Sequence, residues 1–206
     1  MAKTIRFLIV ALLLPALAVI VLAVDAHAAT KGRKVYRINL STTVGGPVRS
    51  VLPAGAPASL LVRSTPELDA QDQTRLAWHF RNAAHLADRF AKKHGLRVVR
   101  QKLPNRVEIF GSTGELADAM MMPTKEYGCK VVARIDLQMG VVFLGRSDTE
   151  DLYVELGKWF FYAANYQWGH NRRQDMAMLN VAERFADFCM DKDNWVEANG
   201  STKDLF

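Results

Sequence analysis

The chain opens with an unbroken apolar run from Phe7 to Val24 and then breaks into shorter segments of regular period. Val35 to Leu40 alternates as Val-Tyr-Arg-Ile-Asn-Leu, the period-two pattern of a half-buried strand. Ser41 to Pro57 is rich in Gly, Pro and small residues and reads as a loop with a short strand near Val51-Leu52; Leu60 to Arg63 is a further strand. Leu68, Leu76, Phe80, Ala83, Ala87 and Phe90 then recur every three or four residues and predict a long helix. Thr65 is its expected N-cap, Pro66 its first residue, and Gly95 its stop after Lys92, Lys93 and His94.

Leu96–Gln101 and Arg106–Phe110 read as strands around a Pro104-Asn105 turn. Ser112-Thr113-Gly114-Glu115 is a capping box opening a short helix through Met121. Lys130–Ile135 and Val141–Leu144 form a predicted hairpin around Asp136–Gly140. A second capping box, Ser147 to Glu150, introduces a helix through Tyr162, and a last helix runs from Arg173 to Met190. The tail from Asp191 is polar and is expected to be loose. The pattern is that of an α+β chain.

The opening run changes the picture of where the protein works. Lys3 and Arg6 precede it, and Ala26-His27-Ala28 is a small-x-small cleavage signal before Ala29. Residues 1–29 are therefore a signal peptide, or an N-terminal membrane anchor if cleavage fails; either way the rest is exported to the periplasm or cell envelope. Residues 30–65 form lead-in strands and a loop, 66–191 the main domain and 192–206 the polar tail. Formal charge is +6; removing Lys3, Arg6 and Asp25 (6 − 2 + 1) leaves +5. No basic run interleaved with aromatics is present, which excludes nucleic acid as the expected partner, while weak attraction to anionic envelope surfaces is expected. A membrane is a partner only if the first segment is uncleaved. Cys129 and Cys189, an even pair in an oxidising compartment, predict one disulfide; two buried free thiols are the alternative.

The candidate chemistry lies in Val154-Glu155-Leu156-Gly157-Lys158, followed by Trp159-Phe160-Phe161-Tyr162. Residues four apart share a helix face, so H-E-x-x-H aims two imidazoles at one metal with the glutamate beside them. Here Val154 offers no lone pair and Lys158 offers an ammonium. His79 and His85, six apart on the long helix, lack a same-face metal spacing and read as surface or boundary residues. His170 reads as a helix-end residue, not a ligand.

With these residues and the element order, the segment from Pro66 to Asp191 resembles a compact gluzincin-type zinc metallopeptidase domain. The resemblance implies a zincin-like fold: a long backing helix, a small mixed sheet, an active-site helix and a glutamate helix. By it, Glu155 matches the general base. Glu183, in Glu183-Arg184-Phe185-Ala186-Asp187, matches the third zinc ligand, and Asp187 the outer-shell carboxylate. Val154 and Lys158 depart from the pattern at the two histidine positions. The strand around Val131, Ala133 and Ile135 matches the rim strand that pairs with an extended peptide, and Tyr162 joins it as a groove candidate.

The resemblance implies a pseudopeptidase without zinc, with Glu155 a vestigial base, acting as a binding or scaffold protein on an envelope protein or peptide segment. Lys158 is expected to pair with Glu183, filling the lost metal's place and locking two helices together. The alternatives are a metal-dependent peptidase with a non-standard ligand set, zinc as cofactor and Glu155 as base, or an envelope structural domain unrelated to peptidases.

Overall fold

The computed structural model describes residues 32–40, 56–99, 103–126, 128–146, 148–165 and 172–195. The chain divides into two compact units, Met1–Arg33 and Lys34–Phe206. The first lies almost wholly outside the described residues, as do the predicted strand at Val51-Leu52, Ser147 and His170. The second contains every element below and the whole described core. No helix among the described residues is long and apolar enough to cross a membrane.

Five strands form one sheet: β1 (Lys34–Asn39), β2 (Ser59–Ser64), β3 (Arg106–Ile109), β6 (Ala133–Asp136) and β7 (Val141–Leu144). Their order is β1-β2-β3-β7-β6, with β2, β3 and β7 parallel and the edge strands β1 and β6 antiparallel. A separate two-stranded ribbon, β4 (Lys125–Glu126) with β5 (Cys129–Lys130), was not legible in the sequence. The helices are α1 (Ala70–His94), α2 (Thr113–Met120), α3 (Thr149–Asn165) and α4 (Arg172–Met190).

Local chemistry moves several boundaries. The long helix α1 starts at Ala70 and not at Pro66. Thr65 N–H still bonds the Ile109 carbonyl, Leu68 N–H donates to the Tyr36 hydroxyl, and a reciprocal Asp69–Asp72 capping box opens the helix. Gly95 ends it as expected, at φ 65°. Residues 96–99 form no strand: Val99 N–H donates to the Phe160 carbonyl and Arg97 N–H to the Asn165 side chain. Asp148 supplies the cap of α3, its carboxylate accepting from Glu150 N–H. The start of the tail is anchored: Trp195 meets Trp78 edge-to-face at 4.7 Å and donates to the Cys189 carbonyl.

The strand register sorts side chains onto two faces. Ile38, Leu60, Val62, Val107, Ile109, Val142 and Leu144 face one way into the helix-covered core, where α1 and α3 lie against the sheet and α4 packs on both helices. The other face carries Val141 and Phe143, which pack with Phe110 and Leu116 beneath α2. Cys189 is a free, fully buried thiol on the inward face of α4, and burial pushes it well above its ordinary pKa. The expected Cys129–Cys189 disulfide is therefore not formed: Cys189 belongs to the helix-covered core, whereas Cys129 is on the separate ribbon.

Helices α3 and α4 meet where Gly157 leaves room. A Cβ there would lie 3.0 Å from a Phe185 ring carbon, 3.1 Å from Ala182 Cα and 3.2 Å from its carbonyl. Phe160, Phe161, Phe185 and Phe90 fill the junction, with ring centroids of Phe161 and Phe185 5.3 Å apart. At an unhindered helix position, Gly→Ala stabilises by about 0.5–1 kcal/mol. Here the extra methyl meets packed backbone, so Gly157→Ala is expected to destabilise by about 1–3 kcal/mol, read from the urea unfolding midpoint.

Candidate functional site

Helix α3 lines up four ionisable residues on one stripe. Asp151, Glu155, Lys158 and Tyr162 recur at i, i+4, i+7 and i+11, the spacing of a single helix face. Glu155 is 2 % exposed and Lys158 18 %, and the Lys158 ammonium donates to Glu155 Oε1. The second carboxylate oxygen, Oε2, is buried with no hydrogen-bond partner among the described residues. Taking a carboxylate out of water is costly unless a cation accompanies it. Lys158, one turn on, is that cation.

The neighbourhood is otherwise acidic. Asp151 is half-buried, and its pKa is pushed up to about 6, first by burial and then by Asp148, Glu155 and Glu150, against the opposing pull of Arg146. Tyr162 is 4 % exposed, and its phenol is raised far above its usual value by burial first, then by Glu155, Asp175, Glu126 and Glu183. Asp151, Asp175 and Glu126 had no place in the sequence reading. The stripe spacing could have revealed Asp151; nothing local in the sequence brings Asp175 of α4 or Glu126 of β4 to Tyr162.

The structure unites some predicted residues and separates others. Glu155 and Lys158 are together. The expected Lys158–Glu183 pair is not made: Lys158 closes onto its own helix, and Glu183 is an exposed residue of α4. Asp187, one turn further, lines a surface depression with Lys93, His94 and Arg184 at the end of α1. Val154 is half-buried and packs against the apolar core.

The donor set does not fit zinc. Val154 has no lone pair, and the Lys158 side chain is engaged by Glu155. Among the described residues no group of three or more His, Cys, Asp or Glu is placed to hold a metal ion. This arrangement can hold a buried charge pair.

His79 corrects another expectation. It is 5 % exposed, not a surface residue, and its Nδ1 lies 2.6 Å from the Tyr153 hydroxyl, which also accepts from Asn82. The imidazole and the phenol share one hydrogen bond, whose donor is set by the His79 tautomer. Burial first, and Arg75 second, lower the imidazole pKa to about 4. His85 is half-buried.

The groove candidates fall at the sheet edge beside α3. Gly145 N–H bonds the Val132 carbonyl, which makes residues 132, 134 and 136 the hydrogen-bonded partners of β7. The backbone groups of Ala133 and Ile135 therefore point away from the sheet, at its free edge, while their side chains lie on the α3 side. Val131 belongs to the ribbon, its N–H bonding the Thr124 carbonyl. Tyr162 is too buried to touch a docked chain directly.

Truncating one member of a buried pair strands the other charge. Lys158→Ala is expected to destabilise the fold by about 3–5 kcal/mol, and adding Glu155→Gln recovers much of the loss. Urea unfolding of the two variants checks this; a loss under about 1 kcal/mol contradicts it.

Scans against family models, curated proteins and solved structures found no match for this chain.

Proposed function

We propose that the chain is an exported binding or scaffold domain of zincin-like architecture that works without zinc and without hydrolysis. The observation that carries this reading is the buried Glu155–Lys158 pair. In a zinc peptidase the matching glutamate must be free to take a proton from metal-bound water. A glutamate held by an ammonium of its own helix is a structural partner instead. The order of elements and the edge position of β6 beside α3 support the zincin-like comparison.

The partner on this reading is an extended segment of an envelope protein, added to the sheet along β6. Strand addition needs free main-chain donors and acceptors, which Ala133 and Ile135 present, and pockets for alternate side chains. Export rests on the basic start, the apolar run and the Ala26-His27-Ala28 signal.

The test restores what the sequence has replaced. Val154→His with Lys158→His puts two imidazoles on one face of α3, and the folded variant is expected to bind about one zinc per chain by calorimetry. The parent chain is expected to leave fluorescently labelled casein uncut with zinc added. Chelator-sensitive cleavage by the parent would establish a hydrolase instead. A folded double variant that takes no zinc would remove the zincin-like geometry.

A further inference from the structure

The sheet face turned away from α1, α3 and α4 has an arrangement that the proposed function does not use. Helix α2 covers this face at β7, where Val141 and Phe143 are buried. Over β1, β2 and β3 it is more open. Val35 is 62 % exposed, Arg37 is exposed and Leu61 half-buried. The side chains of Arg63 and Arg106 are 38 % and 37 % exposed.

Register fixes how these residues stand. Val35, Arg63 and Glu108 form one row across the three strands, and Arg37, Leu61 and Arg106 the next. With strands about 4.8 Å apart, Arg37 and Arg106 flank Leu61 at roughly 10 Å. Glu108, with 8 % of its side chain exposed, holds Arg106 at 3.2 Å and Arg63 at 3.8 Å. This carboxylate at the base of the face anchors two guanidiniums that still reach solvent, while Arg37 makes no ion pair among the described residues. Three arginines against one glutamate leave a formal +2 (3 − 1) on these three strands, beside exposed Val35 and half-buried Leu61.

We propose that this face docks on an anionic lipid bilayer, with Arg37, Arg63 and Arg106 on headgroup phosphates and Val35 and Leu61 at the headgroup boundary. Arginine suits this partner because its planar fork takes phosphate oxygens in pairs and needs no particular sequence or fold in the ligand. The apolar contacts on the open strands are aliphatic, whereas a single-stranded nucleic acid requires exposed rings for stacking. The whole chain carries +6, so the long-range field favours the same encounter.

The test uses residues 30–206, which contain the compact unit and its entire described core, so that the apolar run cannot itself insert. Binding is read by co-sedimentation with phosphatidylcholine vesicles containing about one third phosphatidylglycerol, and with pure phosphatidylcholine vesicles. The expected result is binding to the anionic vesicles only, weakened by salt. Arg37→Gln is expected to weaken it about fivefold, and Val35→Asp to weaken it further. Lys92→Gln, at the far end of α1, leaves it unchanged. Equal binding to both vesicles, or an equal loss in Lys92→Gln, overturns the proposal. So does saturable displacement by inorganic phosphate at fixed ionic strength, which would mark a site for the free anion. Matching unfolding midpoints for parent and Arg37→Gln exclude misfolding as the cause of a loss.

Discussion

A carboxylate removed from water must bring a cation with it, and the centre of this molecule is arranged around that requirement. Glu155 is 2 % exposed on α3, and its only described partner is the Lys158 ammonium one turn later. The charge is balanced within one helix, so no ligand from a second element is needed to neutralise it. The acidic groups around Glu155 share its own sign: Asp151, Asp175, Glu126 and Glu183 all act on the same stretch of α3. Lys158 therefore controls the local balance of charge, and on the proposed reading it performs the electrostatic task that a metal ion performs in zinc peptidases.

The pair also depends on how closely the helices approach. Gly157 lies between Glu155 and Lys158 and lets α3 rest on Ala182 and Phe185 of α4 at van der Waals limits. The phenylalanine cluster then excludes water from the junction. Apolar packing and the ion pair are one device: the first dries the site and the second makes a dry site tolerable for a charge. On the other side of α3, edge strand β6 keeps the main-chain groups of two residues free. A rigid, internally neutralised helix beside an open edge suits docking, where the frame must not change when a strand is added.

Much of this was legible in the sequence, and the failures have physical causes. Period-two and period-3.6 patterns located β1, β2, β3, β7, α1 and α4, because burial on one face writes itself directly into the chain, and capping boxes marked α2 and α3. Pro66 read as a helix start but lies in the lead-in, because Thr65 still bonds Ile109 and the Asp69–Asp72 box captures the first turn. The ribbon of β4 and β5 was missed because two-residue strands have no periodicity. The Glu155–Lys158 association was visible as a motif, but its partner was misjudged: three residues along one helix bring the groups together more cheaply than a contact across to Glu183. Likewise an even cysteine count suggested a bridge, while the side-chain pattern of α4 already put Cys189 inward with Phe185 and Ala186. His79 looked peripheral because a buried imidazole satisfied by a tyrosine 74 residues away leaves no local trace.

The central claim is that Lys158 supplies from within the positive charge that a metal would bring. The most direct measurement is the metal content of the natural chain by mass spectrometry, together with its thermal unfolding midpoint before and after chelation. The account predicts no stoichiometric transition metal and an unchanged midpoint. One tightly held zinc per chain, with a midpoint that falls when it is stripped, would contradict it.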